Sequence, residues 1–263
     1  MGMAIRVLFR RCLRLLGFLA VLGVAGLRFG LFRRYWTATG RADWLHQTCR
    51  RVARVVGVDI RVDGSPARRG LWVTNHLSYL DVIVLASLQP CAFVAKREVR
   101  SWPILGWAAR AAGTLFIRRE RRSDLNAINQ AIRARLSAGV VVVVFPEGTS
   151  SDGNQVLPFH PGIFESVAGT TETVTASWLG YRISQGDPAT EICYWGDMTF
   201  GPHFFRLLGQ PRIEALVRVG PPMVGTADRR QLARELRACV VNLADTTSSP
   251  GSGRRPAPVV AAV

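Results

Sequence analysis

Lysine is almost missing from this 263-residue chain: of 34 basic residues, only Lys96 is a lysine. Acidic residues are also few, 18 in all, which leaves a formal net charge of +16. An excess of that size points to a polyanionic partner: a membrane surface, nucleic acid or a phosphorylated ligand. No basic stripe with interleaved aromatics runs through the chain, so a nucleic-acid partner is not expected. Cysteine is scarce and scattered. Cys12, Cys49, Cys91, Cys193 and Cys239 are odd in number and lack metal-ligand spacing. They are expected to be free, buried thiols in a reducing compartment. No internal repeat is present.

A long apolar run is missing too. The N-terminal run "LLGFLAVLGVAGL" has 13 uncharged residues, short of the roughly 20 that a spanning helix needs. Extending it to Phe32 reaches 18 residues but takes in Arg28, which would have to snorkel. Arg6, Arg10, Arg11 and Arg14 precede the run, and Arg28, Arg33 and Arg34 follow it. That arrangement predicts a helix lying in or dipping into the inner face of a bilayer, with residues 1–36 as anchor. A signal peptide and a soluble core helix are the alternatives.

What is present suits one large α/β domain over residues 37–245, followed by a disordered tail, 246–263, of Ser, Pro, Gly and Ala. Residues 42–57 have the pattern of an amphipathic helix. "VDIRVDG", "LWVT", "CAFVA", "TLFI" and "VVVVVF" have that of strands, the last buried on both faces. Helical patterns lie between them, one opening on Pro103 and closing on Gly113, another capped by Ser123 and ending before Gly139. Strands and helices in alternation predict a mixed, largely parallel sheet flanked by helices. "TVTASWL", "EICYWGDM" and "IEALVRVG" are expected to be further strands, and residues 226–244 a last helix.

The chemistry concentrates at strand ends. "VTNHLSYLD" (residues 73–81) places His76 and Asp81 where a strand gives way to a helix. Ser78 and Asp81 also fit a capping box, in which the carboxylate merely satisfies helix amides. On one continuous helix a spacing of five sets two residues about 140° apart, so they could not meet. With His76 before the helix and Asp81 in its first turn, the carboxylate can fix the imidazole tautomer and leave the other ring nitrogen free as a base. "FPEGT" (145–149) makes a polar turn after the most apolar strand, where α/β sheets tend to bind ligands. Lys96 and the arginines of "FIRR" lie at two further strand ends. A base, an acid and cations together suit a ligand that carries both a hydroxyl and a negative charge.

These stretches resemble the glycerolipid acyltransferase family, typified by bacterial 1-acylglycerol-3-phosphate acyltransferases. "NHLSYLD" matches its His-x4-Asp motif, "AKREVRSWPILGWAARAAGTLFIRR" its second block and "FPEGT" its third, in the family's order. The resemblance implies transfer of an acyl group from acyl carrier protein or coenzyme A to a lysolipid hydroxyl, with no covalent acyl-enzyme, no metal and no bound cofactor. The acceptor it implies first is 1-acyl-sn-glycerol-3-phosphate, giving phosphatidic acid. His76 would be the general base and Asp81 its orienter. Arg119 would hold the acceptor's phosphate with help from Lys96, and Glu147, Gly148 and Thr149 would shape the acceptor site. The expected setting is the cytoplasmic face of the inner membrane, with membrane lipids as partners.

The departures point to a second acceptor. Ser150 stands where the family usually has arginine, and Arg118 where it has an acid. "EGTSSDGNQVLPF" and "YWGDMTFGPHFF" look more like a branch that includes lyso-ornithine lipid acyltransferases, whose acceptor has a zwitterionic head. Asp197 in "YWGDM" is a candidate second acceptor contact. A non-catalytic lipid-binding protein on the same scaffold is the remaining reading, and the intact dyad argues against it. His46, His160 and His203 are expected to be structural or surface residues.

Overall fold

Leu71, Trp72 and Val73 are consecutive and fully buried, yet they belong to two different cores. Strand side chains alternate between faces, and here both faces of the sheet are covered. The computed structural model describes residues 2–32, 35–118 and 122–245. At its centre lie β2 (Leu71–Thr74) and β5 (Val141–Val144), every residue of both buried. Leu71, Val73, Val142 and Val144 pack under α5 (Arg122–Ser137) and α8 (Arg229–Asp245). Trp72, Val141 and Val143 pack under α2 (Ala38–Val56) and α3 (Leu80–Leu88). A strand buried on both faces carries a continuous apolar run instead of an alternating one.

Five further strands complete the sheet: β1 (Val58–Asp63), β3 (Cys91–Lys96), β4 (Leu115–Ile117), β6 (Thr173–Ile183) and β7 (Ile213–Val224). The order is β1-β7-β6-β2-β5-β3-β4. Only the β6–β7 pair is antiparallel. The sheet is therefore mixed and largely parallel, as the alternation of elements predicts. Because β2, β5 and β6 run parallel side by side, their C-terminal ends open on the same edge. The short helices α4 (Leu105–Ala111), α6 (Pro188–Glu191) and α7 (Phe200–Leu207) lie in the connections.

The N-terminal helix α1 (Gly2–Leu31) is docked along its length. Phe18 packs on Phe204 at 5.0 Å, and the Trp44 indole donates to the Ala25 carbonyl at 3.0 Å. A Cβ on Gly17 would meet Val55 at 2.8 Å, which shows how closely α1 approaches α2 there. Arg10 donates to the Gly209 carbonyl at 2.8 Å and Arg14 to the Gln210 carbonyl at 2.6 Å. These arginines satisfy carbonyls just past the C-terminal end of α7, where cations are favoured.

Three expectations need correction. "EICYWGDM" is not a strand. Asp187 caps the Ala189 amide and Pro188 takes the first helical position of a short helical turn that ends at Glu191, the segment's first residue. The segment then runs on as loop, with Gly196 at φ 58°. Ser78 does not cap α3: the helix starts at Leu80, and the Ser78 hydroxyl has no hydrogen bond among the described residues. The cysteines are unpaired, but Cys12 is exposed and Cys239 half-buried; only Cys49, Cys91 and Cys193 are buried. The expected tail, 246–263, lies outside the described residues.

Candidate functional site

β2 and β5 are in register at Val73 and Val144, so the residues that leave them, His76 and Phe145, meet side by side. Their rings stack at 4.1 Å with 20° between planes. Asn75 fixes the exit of β2 on the other flank. Its side-chain oxygen accepts from the Leu179 amide and its amide donates to the Leu179 carbonyl, both at 2.8 Å. This side chain continues the β2–β6 ladder for one more step after the β2 backbone turns away. The chain then turns back so that Asp81, in the first turn of α3, faces His76. Nδ1 of His76 lies 2.7 Å from Oδ2 of Asp81.

Asp81 is fully buried. Besides the imidazole, its Oδ2 accepts from the Leu77 amide at 2.7 Å and the Ser78 amide at 3.0 Å. Its Oδ1 accepts from the Tyr181 hydroxyl at 2.7 Å. An oxygen pair that only accepts requires the proton of the His76–Asp81 bond to sit on Nδ1. Nε2 is thereby left as a lone-pair base. The half of the capping box formed by Asp81 thus coexists with the dyad, because one carboxylate satisfies loop amides and imidazole together.

Glu147 lies beneath this pair. It is buried, accepts from the His76 amide through Oε2 and from the Leu157 amide through Oε1, each at 3.0 Å. Burial pushes its carboxyl up to about 7, against the two amides that pull it down. Glu147 therefore straps the backbone of His76 to the following loop and is not among the residues that line the adjacent cavity. Gly148, at φ 79°, makes the turn that points Thr149 outward; a side chain at that angle would be strained.

A cavity of about 340 Å³ opens beside His76. Lys96, Gly148, Thr149 and Ser150 lie on its polar side, and Phe18, Leu22, Trp44, Leu45, Cys49 and Val52 line its apolar part. The structure therefore gathers His76, Asp81, Lys96, Gly148 and Thr149 at one place. Arg119 lies outside the described residues. Asp197 is exposed in the loop before α7.

Sequence reasoning missed Asn75, Tyr181 and the Tyr79–His203 pair. The Tyr79 hydroxyl lies 2.9 Å from Nδ1 of His203, whose Nε2 is 3.0 Å from the Cys193 carbonyl. A carbonyl only accepts, so Nε2 carries the proton and Tyr79 donates to Nδ1. Burial lowers the His203 pKa and favours that neutral ring. Of these, only Asn75 had a local signal, its place beside the histidine.

An acyltransferase family model matches residues 57–179, the stretch that holds Asn75, His76, Tyr79, Asp81, Lys96 and the Glu147–Ser150 turn. Over 81% of both chains, the protein is 34% identical to the lyso-ornithine lipid O-acyltransferase of Pseudomonas aeruginosa. It is 36% identical to the enzyme of that name from Brucella abortus, over 70% of this chain and 75% of the other. The match to the 1-acyl-sn-glycerol-3-phosphate acyltransferase of Neisseria gonorrhoeae is 37% identical over 48% of this chain and 52% of the other. In fold it is similar to the crystal structure of the 1-acyl-sn-glycerophosphate acyltransferase of Thermotoga maritima. That likeness has a TM-score of 0.64 at 22% identity and covers 92% of this chain and 99% of the other.

Proposed function

This chain belongs to the lysolipid O-acyltransferase family, and we propose that the hydroxyl it esterifies is that of a lyso-ornithine lipid. The observation that carries the choice is Ser150. At the position where the resemblance expects an arginine, a hydroxyl donates to the Tyr194 carbonyl and holds the loop before α7. The position supplies a tether and no cation for a phosphate. The relatives named for the ornithine acceptor also match more of the chain than those named for the phosphate acceptor. Lys96, exposed at the cavity mouth, keeps lysophosphatidic acid as the second reading, because a cation suits a phosphate as well as a carboxylate.

In the reaction, Nε2 of His76 takes the proton of the acceptor hydroxyl. The oxygen attacks the thioester carbonyl, the C–S bond breaks, and the imidazolium returns the proton to the departing thiolate. Asp81 supports the positive ring while it lasts. The acyl chain lies in the apolar part of the cavity. The donor is an acyl thioester of acyl carrier protein or coenzyme A. Exposed Lys96 at the mouth, followed in sequence by exposed Arg97 and Arg100, suits the negative charge of either. The test offers lyso-ornithine lipid and lysophosphatidic acid in parallel to detergent-purified protein with both donors. Ester formation on the ornithine acceptor is expected. Product from lysophosphatidic acid alone would reverse the choice of acceptor.

The protein works at a membrane, with α1 lying along the cytoplasmic surface. Ile5, Phe9, Leu13, Leu16, Leu27 and Leu31 are more than half exposed on one face of α1, and the opposite face is docked on the domain. An apolar groove of about 400 Å³ beside that face, lined by Leu19, Leu27, Ile104 and Trp107 among others, extends it. Cys12 is exposed within a turn of Leu8, Phe9 and Leu16. Anionic vesicles should therefore protect it from a charged maleimide. Full reactivity of Cys12 on vesicle-bound protein would exclude this orientation.

A further inference from the structure

Three of the four donors that meet the Asp81 carboxylate come from its own loop, and the fourth comes from a strand 100 residues away. His76, Leu77 and Ser78 all use Oδ2. The Tyr181 hydroxyl makes the one hydrogen bond on Oδ1 among the described residues. We propose that Tyr181 is a positioning residue for acyl transfer: by occupying Oδ1 it keeps the carboxylate aimed so that Oδ2 supports His76. The proposal rests on the reading of His76 as the general base.

Strand geometry brings the tyrosine there. β6 runs parallel to β2, with Ser177 opposite Thr74, and continues past the point where β2 ends. Ser177, Leu179 and Tyr181 share one face by the period of two. Ser177 accepts from the Trp72 indole at 2.8 Å, Leu179 holds Asn75 through its backbone, and Tyr181 reaches Asp81. Burial, and then the charge of Asp81, hold the Tyr181 phenol well above its ordinary range, so it remains a donor throughout the working pH range. An oxygen buried this deeply has no water to replace a lost donor, and its negative charge would then bear more heavily on the imidazole.

The other titratable groups around the pair are Glu147 below His76, Tyr79 with His203, Cys193 and Tyr194 from the loop before α7, and Asp152 beyond Cys193. Of these, burial raises Glu147 to about 7, near the acid limb of a neutral pH optimum, and lowers His203.

Tyr181→Phe keeps the ring and removes one hydroxyl. Its kcat should fall by about ten- to a hundredfold, the rate equivalent of one hydrogen bond to a charged group, with donor and acceptor KM unchanged. The acid limb of the pH–rate profile should move to higher pH, in the Glu147→Gln background as well, so that the loss shrinks as pH rises. In an Asp81→Asn background the same change should cost little more, because the two act as a unit. An unmoved acid limb, or a loss that simply multiplies with that of Asp81→Asn, overturns the proposal. A readout free of turnover separates it from the proposed function. The Nδ1 proton of His76 in ¹⁵N-histidine-labelled protein, assigned with His76→Gln, should be displaced or exchange-broadened by Tyr181→Phe. An unchanged resonance overturns the proposal even if every acceptor tried stays unacylated.

Discussion

Replacing Asp81 by asparagine removes a charge and keeps a shape. Asparagine can leave its oxygen where Oδ2 stands, still accepting from Leu77, Ser78 and His76, and turn its amide to Tyr181. The tyrosine hydroxyl then accepts instead of donating, and the fold should survive at a cost of about 1–2 kcal/mol. What is lost is the attraction between the carboxylate and the imidazolium that forms when the acceptor hydroxyl gives up its proton. With charge centres about 4 Å apart and an effective dielectric of about 20, that attraction is about 4 kcal/mol. At about 1.36 kcal/mol per tenfold, kcat should fall roughly a thousandfold. The assay is thiol release from acyl-coenzyme A by detergent-purified protein with acceptor saturating, paired with a thermal melt. An Asp81→Asn protein that melts like wild type and keeps more than about a tenth of its kcat would refute the electrostatic role. His76→Gln provides the parallel case, since its ring is partly exposed at the cavity wall and its one close ring contact among the described residues is the stack on Phe145.

Other consequences follow from buried groups and the cavity. Glu147 is raised from 4.5 to about 7, so its proton is held more tightly in the folded state. Its contribution to stability is therefore full below about 4.5 and lost as pH rises through about 7, by as much as about 3 kcal/mol. In urea titrations the advantage of wild type over Glu147→Gln should be greater at about pH 5 than at about pH 8, and an equal gap at both would contradict a buried ionisable carboxyl. Cys49 and Cys193 are pushed up to about 12 by burial, and Cys91 is pushed up as well. These three should resist alkylation in the native protein and react on unfolding; mass spectrometry showing any of them modified while the fold is intact would refute that. Cys49→Phe narrows the apolar part of the cavity. It should cut kcat/KM for long-chain donors by about tenfold relative to medium-chain ones, through overpacking of the bound chain; an unchanged ratio would place the chain elsewhere.

Local patterns announced the sheet because its central strands carry their own signature. "VVVVVF" is apolar throughout since β5 is buried on both faces, and that burial is what a parallel centre requires. The same logic exposed His76 and Glu147, which follow the ends of those strands, and Asp81, in the first turn of the helix after β2. What stayed hidden depends on long-range register. Tyr181 reaches Asp81 only because β6 outruns β2 by half its length, and Glu147 faces inward only because Leu157 returns to meet it. "EICYWGDM" misled for a related reason. Its apolar residues, Ile192 and Cys193, are buried against the motif loop, where the Tyr194 amide donates to the Leu77 carbonyl at 2.8 Å. Burial without a ladder has the same hydrophobic pattern as a strand.

The N-terminal segment shows the converse error, a charge count taken for a surface. Arg10 and Arg14 belong to the +16, but their guanidinium groups are spent on carbonyls after α7. The attraction of this protein for an anionic surface is accordingly smaller than its net charge implies, because charges turned inward are screened by the dipoles they cap. The tie has a second effect. Phe18 of α1 rests on Phe204 of α7, and both rings line the cavity beside His76. In the proposed orientation, a helix that meets lipid on one face therefore forms part of the cavity wall on the other. Displacing α1 would unseat α7 and open the apolar pocket to water. Helix α1 thus helps to build the cavity beside His76, and in the proposed orientation it also places that cavity at the membrane.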